Sequence, residues 1–408
     1  MKRKIGLNII ALIVFLIIFS SGGIVGAFGF LTTLFAEAEN YPPPPWLNEG
    51  TRLTYYGISG SIPHDKYRYF DGEGNFVDRD GNRWKQEEHT GTAGQGLYVT
   101  DVVAIDQGEV VLSKRSYLII GETILAPQLL PAKTGSVGFA NELWVHPGFL
   151  ATIQEGIIPG LKIIRTPYTL GGITFNAIRF QVETENSLYV QVYDVETGIL
   201  LHVGFSGIST GSGVTIHGTP SQVTQIIQVY LVDVRQLDIP WSHGLLSPVS
   251  HNTSMLQYDG YYSSSITFVR VAKQQFYQTE TISSRWLGQK RVTITQGSEA
   301  FPSEVKVVCG VAQIGGTFIP PVALSILTEG QIIDYDPVTG VQVMVFFNGT
   351  TPQGQRLLGI RETARDFSYD YYYNQDGVLI GMQLSEKPNR WANDETQVNN
   401  EYWLSYMQ

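Results

Sequence analysis

A single cysteine, Cys309, stands in a chain of 408 residues. No internal disulfide can form, so the chain's cores must hold without covalent cross-links. Cys309 lies in the apolar run Val305 to Ala312 and reads as a buried structural thiol. Charge is scarce as well: 16% of residues are charged, against roughly a quarter in an average soluble domain. With 43% hydrophobic residues, that balance is the reverse of a disordered chain's, and most of the sequence is expected to fold. Long helical periodicities are nearly missing. The seven histidines (His64, His89, His146, His202, His217, His243 and His251) form no HExxH or other close ligand pair, which argues against a zinc site. No glycine-rich phosphate loop follows a strand and opens a helix.

What is present begins at the N-terminus. Lys2, Arg3 and Lys4 precede an uncharged run from Ile5 to Ala36. That run exceeds both the apolar core of a secretory signal, about 7–15 residues, and the roughly 20 residues of a spanning helix. Residues 1–38 are therefore expected to be a signal peptide or a membrane anchor, with a small-residue cleavage pattern at Ala36 to Ala38. Either way the basic cluster stays inside and the remainder is exported. Beyond residue 38 the chain loses three of its 27 basic and one of its 37 acidic residues, which leaves a net charge of −12. Such a surface repels nucleic acid and anionic headgroups. The membrane, through the N-terminal segment, is the one partner this part of the sequence implies.

Residues 39–50 contain Tyr41 to Trp46 (YPPPPW) and read as a stiff proline-rich spacer. From Thr51 onward nearly every apolar segment is short, β-branched or aromatic, and closed by Gly, Asn or Asp. Residues 51–239 are expected to form a first β domain. Residues 240–254, rich in turn formers, read as a linker. Residues 255–385 repeat the strand pattern as a second β domain, and 386–408 read as a polar C-terminal segment, loose over 386–400. The fold expected is mainly β: two similar curved antiparallel sheet domains, half-barrel or sandwich-like, each with a short helix, behind the N-terminal transmembrane or signal helix.

A repeat supports the two-domain reading. Trp144 to Gly156 (WVHPGFLATIQEG) and Phe318 to Gly330 (FIPPVALSILTEG) match at an offset of 174 residues at Pro147/Pro321, Leu150/Leu324, Glu155/Glu329 and Gly156/Gly330. Each copy then reaches a tyrosine-aspartate turn, Tyr193 to Gly198 in the first half and Tyr335 to Gly340 in the second. The prolines suit a first helical turn and the glycines its end. Hairpins of this kind on twisted sheets, with a short lid helix, resemble the half-barrels of bacterial lipoprotein-carrier proteins. The resemblance is architectural and carries no site residue across.

Several patterns bear on chemistry. Gly207 to Gly211 (GISTG) matches a nucleophile elbow around Ser209, but the following SGVTIHGTP is too rich in Gly and β-branched residues for the helix that motif needs; a glycine-rich loop between strands is expected. Asp78, Asp80 and Asn82 have the alternate spacing of calcium ligands. An EF-hand fails there, since its Gly and Glu positions are not met from Asp71 or from Asp78, and Asp-Gly turns are the competing reading. Calcium is the only cofactor candidate. Phe367, Tyr369, Tyr371 and Tyr373 share one strand face, with Tyr372 on the other; buried, such rows fill a sheet core, and exposed, they stack on sugars or polymer. Asn252 and Asn348 head glycosylation acceptor triplets.

These features point away from catalysis, with a hydrolase as the residual enzymatic reading. The leading expectation is an exported, membrane-tethered β-rich binding protein for an apolar or amphiphilic ligand. Its lid would be Phe149, Leu150 and Ile153 with Ala323, Leu324 and Leu327. The alternative is a structural or adhesive envelope protein that presents tyrosine-rich sheet surfaces to a polymer.

Overall fold

The computed structural model describes residues 31, 33–63, 67–70, 76–78, 80–82, 94–140, 143–158, 160–183, 187–216, 219–264, 271–282, 290–298, 301–309, 313–389 and 396–408. The expected N-terminal membrane or signal helix therefore lies almost wholly outside the described residues. Among the described residues no helix is long and apolar enough to cross a membrane.

The chain is mainly β, as its alternating short apolar runs require. One sheet follows the path β6 (Thr123–Ile124), β5 (Glu109–Ile120), β4 (Gly94–Asp106), β1 (Thr51–Pro63), β13 (Thr219–Gln236), β12 (Leu200–Ile216), β11 (Ser187–Asp194), β10 (Ile173–Glu183), β9 (Leu161–Leu170) and β8 (Gly156–Ile158), with β7 (Gln128–Ser136) paired to β5. The other runs β17 (Phe301–Cys309), β16 (Lys290–Ser298), β15 (Val271–Ile282), β14 (Leu256–Ser264), β23 (Thr396–Met407), β22 (Leu379–Asn389), β21 (Phe367–Asn374), β20 (Arg356–Thr363), β19 (Val341–Thr350) and β18 (Ile332–Asp336). A small pair, β2 (Tyr67–Phe70) and β3 (Phe76–Asp78), stands apart. In each large sheet the final strand of a six-strand meander, β13 or β23, pairs with the strand that opened the sheet, β1 or β14.

The chain divides into two compact units. Met1–Leu47, Tyr55–Gly96 and Ser136–Val232 belong to the first; Asn48–Thr54, Leu97–Gly135 and Asp233–Gln408 to the second. In the first unit Phe35 meets Phe139, Phe149, Phe180 and Tyr193 edge-on, at ring centroid distances of 5.6, 6.5, 5.0 and 5.7 Å. In the second, Leu256, Tyr258, Val292, Phe318, Val378 and Tyr402 form a core cluster.

Helices are short: α1 (Pro147–Thr152), α2 (Pro248–Asn252) and α3 (Ala323–Ile326). The two repeated segments were expected to carry helices of about ten residues ending at Gly156 and Gly330. Instead the helix stops after one turn or so in each; Gly156 opens β8, and Gly330 turns the chain with φ +84°. Each helix is ended by a side chain from a following strand. The Arg165 Nη2 donates to the carbonyls of Leu150 and Ile153 at 2.7 and 2.8 Å. The Asn348 Nδ2 donates to those of Leu324 and Leu327 at 3.0 and 2.8 Å. These carbonyls are among the orphans every helix end must satisfy.

Three expectations are corrected. The GISTG segment is not a loop: β12 runs through it, and Ser209 pairs with Val223 of β13. The described parts of the C-terminal segment are not loose: β22 continues to Asn389, and β23 (Thr396–Met407) lies between β14 and β22 and pairs with both. Polar residues do not exclude a strand there, since a strand inside a sheet draws its hydrogen bonds from its neighbours whatever its side chains. Finally, the turns Tyr193 to Gly198 and Tyr335 to Gly340 occupy different places. Asp194 joins β11 to β12, whereas Asp336 joins β18 to β19. Both use the same local chemistry, a carboxylate accepting from the two amides that follow (Glu196 and Thr197; Val338 and Thr339). The turn between β21 and β22, in the place of the Asp194 turn, is built on Asn374, whose Oδ1 accepts from Asp376 and Val378.

Candidate functional site

The repeated segment is held as a latch in each unit. In the first, the Val145 amide donates to the Gly198 carbonyl at 3.0 Å, the Leu200 amide donates to the Leu143 carbonyl at 3.0 Å, and Trp144 bridges Ile199. In the second, the Ile319 amide donates to the Gly377 carbonyl at 2.9 Å, the Leu379 amide to the Thr317 carbonyl at 2.9 Å, and Phe318 bridges Val378. Gly198 and Gly377 have φ of +78° and +73°, and a Cβ on either would collide with the carbonyl oxygen of Val145 or Ile319. Even the carbonyl before each glycine is capped: Trp46 Nε1 donates to Thr197 O at 2.7 Å, and the Ser247 and Ser250 hydroxyls donate to Asp376 O at 2.8 and 3.1 Å.

The six predicted lid residues sit on these latches. Phe149 and Leu150 are buried and Ile153 is half-buried; Ala323, Leu324 and Leu327 are buried. They fall into two sets, one in each unit, and each set packs within its own. Of the calcium candidates, Asp80 and Asn82 are exposed in a turn and its sequel, while the Asp78 side chain lies outside the described residues, as does that of Cys309. Among the described residues no three His, Cys, Asp or Glu side chains come within reach of one metal ion.

Sequence reasoning missed a buried charge network in the second unit. Arg52 on β1 holds Asp101 on β4 through Nε and Nη2 at 2.6 and 2.9 Å and reaches Asp336 at 3.4 Å. Arg115 on β5 donates to Glu362 on β20 at 3.0 Å, and the same carboxylate accepts from Tyr117 and Tyr371, both at 3.1 Å. Arg235 on β13 clamps Asp334 with two bonds of 2.7 and 2.8 Å. Burial alone would push Asp101 up, but the charge and hydrogen bonds of Arg52, aided by Arg115 and Arg235, bring it below the ordinary carboxylate value. Burial first, then Glu362, pushes the phenols of Tyr117 and Tyr371 well up. Each carboxylate of this network accepts from at least one guanidinium, and every one of the three arginines is bound. Such a network fixes strand positions.

The opposite face of the second sheet is different. Phe346 on β19, Tyr372 on β21 and Trp403 on β23 lie across five neighbouring strands, and the strands between them present glycine. Gly359 pairs with Tyr372, Tyr372 with Gly381, and Gly381 with Trp403. Strands two apart are separated by about 9.6 Å, yet the Tyr372 and Trp403 centroids are 5.2 Å apart and those of Phe346 and Tyr372 5.4 Å. The rings lean together over bare backbone, which only glycine permits: a Cβ at Gly381 would strike the Trp403 ring, and one at Gly359 would meet Phe346 at 2.7 Å.

Beside this row runs a polar one, two residues along the same strands. Arg361, Asp370, Gln383 and Glu401 are register partners in sequence across β20 to β23. They steady the rings and each other. Arg361 grips Asp370 with two bonds of 2.7 Å, Tyr372 donates its hydroxyl to Gln383 at 2.9 Å, and Trp403 Nε1 donates to Glu401 at 2.6 Å. The Arg361 guanidinium also covers the Phe346 ring, 4.7 Å from its centroid. Trp403 keeps 39% of its surface exposed. Burial, then Asp370, pushes the Tyr372 phenol up, so it stays a neutral donor. The signal for this row was in the sequence: Tyr372 was placed on the face away from its neighbours, but glycines two strands apart cannot be aligned before the register is known. The inner-face tyrosines behave as core residues, with Phe367, Tyr371 and Tyr373 buried.

No family model and no curated protein matches the chain. Among solved structures, it is similar at 10% identity and a TM-score of 0.16 to a protein of unknown function from the DUF3598 family of Nostoc punctiforme, over 88% of this chain and 96% of that one. It is similar at 8% identity and a TM-score of 0.18 to the isotype 1 transferrin binding protein B of serogroup B Neisseria meningitidis, over 90% and 78%.

Proposed function

We propose that this chain is an exported, non-enzymatic β-rich binding protein of the cell envelope that works through the outer face of its second sheet, and that its two large sheets are two copies of one ten-strand module. The observation that carries the binding surface is the Tyr372–Trp403 pair, its rings tilted at 38° and 5.2 Å apart, tied to Gln383 and Glu401 over glycine, with Trp403 exposed. Groups pinned before a ligand arrives lose little freedom on binding. Of the two readings the sequence leaves open, this favours the envelope protein over the lidded apolar groove. The inner positions named as a lid pack into their own units, and part of the inner face of the second sheet is given to charge. Export rests on Lys2 to Lys4 ahead of the uncharged run to Ala36. Duplication rests on the identical strand paths and the matched latches.

The test is retention of the full chain on insoluble cell-envelope material prepared from the producing organism. The wild type is expected to be retained, and Tyr372→Ala and Trp403→Ala to be released with unchanged thermal unfolding. A fusion at Gln408 to a reporter active only in the cytoplasm should be silent. Equal retention of the variants and the wild type removes the surface from the proposal; an active reporter removes export.

A further inference from the structure

We infer that the chain is not cut at Ala38, and that its uncharged N-terminal run stays attached and tethers the first unit to a lipid bilayer without a free spacer. This rests on the proposed export and adds the form that the exported protein takes. The sequence leaves a cut after Ala38 open, because Ala36 and Ala38 are the small residues that a signal peptidase reads. Yet the residues such a cut would discard belong to the core of the first unit. Leu31 and Phe35 each keep 1% of their surface exposed, and Ala38 none. Phe35 fills a site walled by the rings of Phe139, Phe149, Phe180 and Tyr193. The bond to be cut is itself built in. Ala36–Asn40 form a 3-10 turn, in which the Ala38 carbonyl accepts from the Tyr41 amide at 3.1 Å. Gly138 lies so close to that carbonyl that a Cβ there would strike it. Nothing in a removed leader need match the interior of its product, whereas this segment fills that interior. Its loss would open a cavity the size of a phenylalanine side chain.

Residues 39–47, expected to belong to a stiff spacer, are instead strapped onto the same unit. The Ser136 hydroxyl donates to the Glu39 carbonyl at 2.9 Å. The Tyr41 ring lies 4.8 Å from that of His146 and 6.1 Å from that of Phe149. Trp46 stands edge-on to Trp144 at 5.6 Å and donates to the Thr197 carbonyl, and Pro44 and Leu47 are buried. Pro42 to Pro45 bring no amide donors, so the strap can cross the unit with none left unsatisfied. With Leu31 and Phe35 committed to the core, the uncharged run Ile5 to Phe30 remains ahead of them, behind Lys2, Arg3 and Lys4. That run is still longer than the apolar core of a signal, about 7–15 residues, and than the roughly 20 residues of a span. The tether therefore enters the folded unit at Leu31 and not at the prolines.

Alkaline carbonate extraction and intact-mass spectrometry of the full chain, tagged after Gln408 and expressed with its own N-terminus, test this. The protein is expected in the membrane pellet, released by detergent and not by carbonate, with the mass of the whole chain less at most its first Met. Phe35→Ala gives a readout that does not depend on the membrane. It should lower the thermal midpoint of the detergent-solubilised protein by about 5 °C or more, and Phe35→Leu by less. A residue discarded with a leader could not alter the mature protein at all. A mature chain that begins at Glu39, or a Phe35→Ala protein with the midpoint of the wild type, overturns the inference, while a silent reporter at Gln408 keeps export standing. A chain cut between Ile5 and Leu31 and recovered free of the membrane keeps the core contact but has lost the tether, which overturns the inference as well. An active reporter removes export and the tether together.

Discussion

At the scale of single residues, two kinds of position are irreplaceable. Gly198 and Gly377 combine a left-handed φ with a carbonyl where a Cβ would sit. Gly340 has a φ of +68° but nothing within 4 Å of its Cβ position. Gly377→Ala and Gly198→Ala should therefore each cost about 2–4 kcal/mol in urea unfolding, and Gly340→Ala only about 1–2, the strain alone. If Gly377→Ala is no worse than Gly340→Ala, the latch is not held as described. The charge network adds a pH dependence. Asp101 has a folded value below its ordinary 3.8, so it binds protons more weakly folded than unfolded. Its contribution to stability is full above that ordinary value and is lost as pH falls through the folded one. Urea midpoints should fall in acid for the wild type. In Asp101→Asn they should start lower at neutral pH, because Arg52 loses its charged partner, and fall less steeply below about pH 4. Parallel slopes for the two proteins would discard Asp101 as a source of the acid sensitivity.

At the scale of elements, a helix of four to six residues is marginal alone, and both α1 and α3 are made by what surrounds them. Arg165 and Asn348 end them, and the backbone latches place them. Leu150, at 0% exposure, is packing rather than lid surface. Leu150→Ala and Leu324→Ala should each destabilise by about 2–5 kcal/mol, while Leu150→Asp, which buries a charge, should prevent folding rather than release a ligand from a folded protein. Thermal unfolding and near-ultraviolet dichroism of purified variants decide this; a folded Leu150→Asp would restore the lid reading.

At the scale of the whole molecule, each sheet is completed by its last strand, which returns beside the first. For the second sheet that strand is β23, near the C-terminus, and it also carries Trp403. Removing residues 396–408 would leave β14 and β22 as open edges inside what had been a continuous sheet. The shortened chain is expected to be insoluble, or to lose cooperative unfolding; a soluble, cooperatively unfolding product would mean that β23 is an accessory strand.

The sequence by itself determined the mainly β class, the turn positions and the repeated segment, because period-two alternation, Gly and Asn or Asp at hairpins, and a run of matched residues are local properties. It also determined that Tyr371 and Tyr373 would share a face and that Tyr372 would oppose them. Only the tertiary structure decided which turn answers to which, that residues 396–407 form an inner strand, and that Arg52, Asp101, Arg115 and Glu362 meet. The same is true of the alignment of Gly359 and Gly381 with Phe346, Tyr372 and Trp403. Each of these depends on register between strands distant in the chain, and register is set by the summed pairing of whole sheets, so no stretch of sequence carries it alone.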